Sequence, residues 1–136
     1  MWSSILILGG AASASWVLLW RDPLYPSTIT FLAVISALNH SRPYGAGIYD
    51  GLDVVDRLAI LTVGIATARI MITFHSMWLQ AIMSALFGAL TVTYIYGTCR
   101  AVHWGASQSG AWLQVITHAL AASAFVACSI GHRLGL

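Results

Sequence analysis

The chain has 136 residues, of which 59% are hydrophobic and only 7% are charged, and its formal net charge is +2. This composition excludes a soluble globular domain, and six scattered Arg with no Lys exclude nucleic-acid binding and a polybasic contact with anionic lipid. The apolar residues come in blocks long enough to cross a hydrocarbon core of about 30 Å. We therefore predict an integral, multi-pass membrane protein in which residues 1–136 form a single transmembrane helical domain.

The first apolar block, residues 2–20, is rich in small side chains. No Arg or Lys precedes it, so we expect a retained membrane helix rather than a secretory signal peptide. Trp16 and Trp20, followed by Arg21 and Asp22, indicate that this helix ends at a membrane interface.

Two prolines, Pro23 and Pro26, follow the first block. After them Ser27 or Thr28 is predicted to cap a second helix, which runs to about His40. That second helix is short for a membrane span.

Residues 41–53 contain the densest turn-forming sequence in the chain and predict its longest loop. Asp53 is expected to cap a third helix over 54–73, and Asp56 is expected in its first turn, where negative charge suits the helix dipole. Arg69, near the far end of this helix, is predicted to extend its charge to the membrane interface.

A tight reversal is predicted at residues 74–76, followed by helices over 77–98 and 111–130. The fourth helix carries Ser84 and Gly88 at a spacing that allows close approach of a neighbouring helix. Backbone amides in lipid must be satisfied within their own segment, so these blocks are helices rather than open strands. The fold class predicted is all-α, a bundle of about five transmembrane helices.

Successive loops of such a bundle alternate between the two membrane faces. The loops after the second and fourth helices therefore share one face, which is predicted to carry His40, Asp53, Asp56 and His103. His118 is about seven residues into the fifth helix, roughly 10 Å below that face. His75 and His132 are predicted to lie at the opposite face.

Ser36 and His40 stand four residues apart, so both project from the same side of the second helix. With His103, His118 and Asp56 they would offer imidazole and carboxylate groups to a zinc ion, which keeps a position for water in catalytic sites. The alternatives are interfacial positions for the histidines and helix capping for the acid. A haem held by His40 and His118 is a further alternative.

The pattern Ser36-x-x-x-His40, followed by Asp56-Arg57-Leu58, resembles the alkaline ceramidase and progestin/adiponectin receptor superfamily of seven-helix membrane hydrolases. The resemblance covers about residues 27–75. It implies that His40 is a zinc ligand, that Ser36 is a site hydroxyl and that Asp56 acts on the metal-bound water. It also implies that His118 is one member of the His-x-x-x-His pair in the last helix.

This chain departs from the family pattern in two ways. It has two helices fewer, and Gln114 and Ala122 stand four residues before and after His118, so the final pair is incomplete and His103 becomes the expected third ligand.

Two functional hypotheses remain open. The chain is either a zinc-dependent hydrolase of a lipid amide or ester, or a non-catalytic accessory subunit packed against other subunits of a larger membrane complex. Cys99 and Cys128 are expected to be small apolar filler.

Overall fold

The computed structural model describes residues 4–41, 51–100 and 108–136, with side chains described at 4–41, 51–96 and 112–136. These residues form a π-helical turn and five α-helices, and no strand occurs among them. The turn Ser4–Leu8 continues directly into α1 (Gly9–Leu18). The remaining helices are α2 (Leu24–His40), α3 (Gly51–Met71), α4 (Met77–Arg100) and α5 (Gln108–Leu134). The predictions of an all-α fold and of five helices are therefore confirmed.

The predicted cap of α2 is wrong. The helix begins at Leu24, and Pro23 precedes it without a capping side chain. The hydroxyls of Ser27 and Thr28 instead donate hydrogen bonds back to the carbonyls of Pro23 and Tyr25, each over 2.7 Å. Proline is tolerated in the first turn of a helix because the amide it lacks would have no partner there.

The predicted cap of α3 is also wrong, because this helix begins at Gly51 and already contains Asp53 in its first turn. The Asp53 carboxylate accepts a hydrogen bond from Arg57 Nε over 3.0 Å, one turn along the same helix. Asp56 falls in the second turn, so neither acid stands at the N-cap position.

The fifth helix is longer than predicted and extends to Leu134, past Gly131. A Cβ added at Gly131 would lie 2.5 Å from Leu79 Cδ2 and 2.9 Å from Phe74 Cζ. Glycine allows the helix to continue here because its bare backbone admits these two side chains at close range.

The helices pack in the spatial order α3, α2, α1, α5, α4, so the first helix lies between the second and the last. Ile29, Val63, Met83 and Cys128 are fully enclosed where these layers meet. The filler role expected for Cys128 agrees with this burial, whereas the side chain of Cys99 lies outside the described residues.

Buried pairs of hydroxyl groups link neighbouring helices. Tyr25 Oη and Thr67 Oγ1 lie 2.9 Å apart between α2 and α3, and Ser129 Oγ donates to Ser15 Oγ over 2.9 Å between α5 and α1. Such hydrogen bonds hold helices in register where packing between apolar faces alone is not directional.

Two of the described helices are long and apolar enough to cross a membrane, judged by length and composition: the segments Met77–Tyr96 of α4 and Trp112–Leu134 of α5. The segment Ser4–Leu18 is apolar but shorter.

Candidate functional site

Polar side chains gather at one end of the bundle, where α2 ends, α3 begins and α5 passes through its first turns. We call this the site end. The other end, where α1 stops and α5 terminates, is the opposite end. The alternation of helix directions brings residues from distant parts of the sequence together at each.

At the site end the rings of His40 and His118 lie close together in a tilted arrangement. Their centroids are 5.8 Å apart and their planes are inclined by 56°. His118 is buried and His40 is half-buried. Since Zn–N bonds measure about 2.0–2.1 Å, two imidazoles on one tetrahedral zinc have centroids about 5–6 Å apart. The centroid separation of these rings falls within that range.

Asp56 projects inward from the second turn of α3 and is only 6% exposed. Its Oδ2 accepts a hydrogen bond from Asn39 Nδ2 over 2.9 Å, while its Oδ1 is buried without a partner. Arg57 Nε forms an ion pair with Asp53 Oδ2 over 3.0 Å. Asp56 instead presents an acceptor oxygen to the interior.

Ser36 lies one turn before His40 and is buried. Its hydroxyl oxygen is 3.3 Å from the hydroxyl oxygen of Ser4, which belongs to the π-helical turn. π-Helical turns are rare and occur frequently at functional sites. Ser4 was not predicted, although a serine within an apolar block is the kind of signal that marks an inward polar position.

Gln114 was not predicted as a site residue either. It lies on α5 one turn before His118, and its Nε2 is buried with no partner. Within the described residues, Asp56 Oδ1 and Gln114 Nε2 are the two buried side-chain atoms that lack a hydrogen-bond partner. One is an acceptor, the other is a donor, and both belong to the site end.

The third predicted zinc ligand, His103, lies outside the described residues. Among the residues that are described, no group of three or more His, Cys, Asp and Glu side chains is close enough to hold a metal. The described part of the chain thus brings two imidazoles together, and both the zinc ion and its third ligand His103 stay predictions.

At the opposite end, polar side chains near the C-terminus contact the end of α1 and the link that follows it. His132 Nε2 lies 3.4 Å from Asp22 Oδ2, and Arg133 Nη1 donates to the carbonyl of Leu18 over 3.0 Å. On this side of the molecule Gln80 Nε2 donates to the carbonyl of Phe74 over 2.7 Å. His132 is therefore remote from His40 and His118, as the alternation of loops predicts.

Comparison with family models, with curated proteins and with solved structures gives no match. The chemistry of the site end must therefore be inferred from the residues of this chain.

Proposed function

We propose that all five helices lie in a bilayer and that the chain is a multi-pass membrane protein. Each helix carries large apolar side chains on its outer surface, including Val17, Leu24, Ile65, Trp78 and Trp112, each more than 60% exposed. Apolar surface on this scale is unfavourable in water and favourable in lipid. The exposed tryptophans near helix ends match the aromatic belts of membrane interfaces.

We further propose that the protein is a zinc-dependent hydrolase of a lipid amide or ester. The observation that carries the proposal is the approach of the His40 and His118 rings at the end where Asp56 keeps an unpartnered carboxylate oxygen. A buried acceptor without a partner costs about 1–3 kcal/mol, so its retention favours a role toward a ligand.

His40 and His118 would hold the ion, with His103 as the third ligand. When bound, zinc would lower the pKa of a coordinated water toward neutrality. Asp56 Oδ1 would accept a proton from the attacking water, with the carboxylate held by the hydrogen bond from Asn39 to Oδ2. The water oxygen would bond to the acyl carbon, the bond to the leaving nitrogen or oxygen would break, and the proton would pass to that leaving atom. Ser36 would orient the water or the acyl group.

A shallow apolar groove between α1 and α5 supports a lipid substrate. It has a volume of about 430 Å³ and begins at Ala122, one turn beyond His118. Gly10 and Ala11 form its α1 side, and Val126 and Ile130 continue it along α5. Its small and apolar lining suits an acyl chain that enters sideways from the membrane.

The test uses the full chain purified in detergent, with zinc measured by elemental mass spectrometry and hydrolysis followed on fluorescent N-acyl and O-acyl lipids. We expect about one zinc per chain and release of the labelled fatty acid. His118→Ala should lose both, and the control His132→Ala should keep both. A wild-type chain with neither zinc nor hydrolysis would refute the proposal. A haem absorption band would show that the bound cofactor is haem rather than zinc.

We propose the accessory-subunit role as the second candidate, supported by the outer face of α4. Ala81, Ser84, Ala85 and Gly88 are exposed there, and a Cβ added at Gly88 would meet nothing within 4 Å. The helix packs on α5 through other side chains, namely Leu79, Met83, Leu86 and Leu90. A face of small residues lets a helix of another subunit approach closely.

Native electrophoresis of mildly solubilised membranes tests this second role. We expect the wild-type chain to migrate in a larger assembly and Gly88→Leu to release it as a monomer. Gly64→Leu on α3, where an added Cβ also meets nothing within 4 Å, is the matched control. Monomeric migration of the wild-type chain would contradict a subunit role.

A further inference from the structure

We propose that Gln114 is a catalytic residue that donates a hydrogen bond from Nε2 to the carbonyl oxygen of the substrate acyl group. This inference rests on the proposed hydrolase function and adds to it the group that binds the oxygen on which negative charge develops.

The first support is the unsatisfied donor itself. Gln114 Nε2 is buried and has no partner among the described residues. Buried amide groups almost always find partners, so an exception requires an explanation such as an absent ligand. The missing partner must be an acceptor, because the nitrogen of an amide side chain only donates.

The second support is the position of Gln114 on α5. It stands four residues before His118, so both side chains project from the same side of the helix. Side chains of a helix lean toward its N-terminus, which directs the His118 ring over the turn that carries Gln114. An acyl carbonyl beside His118 would therefore be within reach of the Gln114 amide.

The third support is that the α1–α5 groove begins at Ala122, one turn after His118 and about two turns after Gln114. From Ala122 to Ile130 the helix rises roughly 12 Å. An acyl chain lying in this groove would have its carbonyl end near the turn that carries His118.

Asp56 is the acceptor that complements the Gln114 donor in the proposed reaction. Its unpartnered Oδ1 accepts a proton, whereas Gln114 Nε2 donates a hydrogen bond. Attack of water on a carbonyl needs both, an acceptor for the proton of the water and a donor for the carbonyl oxygen.

Steady-state kinetics on a fluorescent N-acyl lipid provide the first measurement. Gln114→Leu removes the donor at similar volume, and we expect kcat to fall about 10²- to 10³-fold with little change in KM, as for loss of an oxyanion donor. Its thermal stability should stay equal or rise, because the unpaired buried donor is gone. Gln80→Leu, the matched control, loses the bond to Phe74 and should lower stability while kcat is kept.

A second measurement does not depend on turnover. A long-chain ketone labelled with ¹³C at its carbonyl cannot be hydrolysed, and its carbonyl stretch in isotope-edited infrared spectra falls when the oxygen accepts a hydrogen bond. We expect a lower frequency for the ketone bound to the wild-type protein and to Gln80→Leu than for the ketone bound to Gln114→Leu.

The outcomes separate the two proposals. Unchanged kcat and an unchanged carbonyl band in Gln114→Leu would overturn the role of Gln114 while hydrolysis by the wild-type chain stands. A band shift that Gln114→Leu abolishes, in a wild-type chain without hydrolysis, would keep the donor assignment and remove the hydrolase. Failure of the wild-type chain to bind the ketone would overturn the assignment.

Discussion

The two ends of the bundle use polar side chains in opposite ways. At the opposite end, Arg133 Nη1 donates to the exposed end of α1 at Leu18, and Gln80 donates to the backbone of Phe74. These side chains complete the backbone hydrogen bonding that helix ends and reversals leave open. Polar residues are thus structural there.

The site end leaves hydrogen-bonding capacity unused in its interior. Asp56 Oδ1 and Gln114 Nε2 have no partner, although each is buried. Leaving such atoms unpaired costs about 1–3 kcal/mol each. Both of the unpartnered buried atoms found in the described part of the chain lie at the site end, and this contrast supports the ligand role proposed for that end.

The largest expected effect concerns the proton acceptor of the site end. Asp56→Asn should lower hydrolysis of the N-acyl lipid about 10²- to 10⁴-fold, because an amide cannot take the proton of the attacking water. Asp22→Asn, the equivalent change at the opposite end, should leave hydrolysis unchanged. We would measure the initial rates of both variants and check their folding by thermal unfolding. Equal rates for the two variants would contradict a functional difference between the two ends.

Removal of one histidine from each end should affect stability unequally. His118→Ala removes a buried ring packed beside His40, and we expect a loss of about 2–4 kcal/mol in the free energy of unfolding. His132→Ala removes a ring whose side chain is 37% exposed, and the loss should stay below about 1 kcal/mol. Denaturant titration in micelles measures both, and similar losses would make His118 ordinary packing.

The opposite end should respond to an added methyl group. Gly131→Ala would place a Cβ against Leu79 and Phe74, and overpacking of this kind costs about 1–3 kcal/mol. Gly88→Ala adds the same group where nothing lies within 4 Å, and it should stabilise the helix by up to about 1 kcal/mol. If Gly88→Ala lost stability and Gly131→Ala did not, Gly88 rather than Gly131 would be the crowded position.

The smallest effect is expected for the exposed ion pair of the opposite end. Asp22→Asn should change the free energy of unfolding by less than about 1 kcal/mol, because Asp22 and His132 are both well exposed. The difference from the wild-type chain should shrink further in 1 M salt, where screening acts over about 3 Å. A large effect that persists in high salt would show that this pair is more than a surface contact.

The sequence was sufficient to predict the helices and the meeting of His40 with His118. Block lengths define the number of helices, and alternation of their directions assigns each loop to an end. Helix caps were predicted less well, since Ser27 and Asp53 have strong capping propensity but lie inside helices that begin earlier. A cap depends on where packing lets the helix start, which the local sequence does not specify.

The finer contacts of the site depend on packing between helices. Asn39 bonds Asp56 and Ser4 lies beside Ser36 because α2 meets α3 and the π-helical turn in one particular register. No periodicity or spacing in the chain encodes that register. Gln114 could have been recognised by a simpler signal, since an amide in an apolar helix one turn from a histidine is costly to bury without a purpose.

The position of α1 between α2 and α5 bears on how the protein is made. Ser15 of α1 pairs with Ser129, which follows 114 residues later in the chain. The carbonyl of Leu18 accepts a hydrogen bond from Arg133, which follows 115 residues later. During synthesis the ribosome releases α1 well before the helix that covers it, so one flank of α1 stays uncovered until α5 has been made. A chain that stops before α5 would leave both α1 and α4 without their neighbour, and quality control would encounter an open assembly intermediate rather than a smaller folded protein.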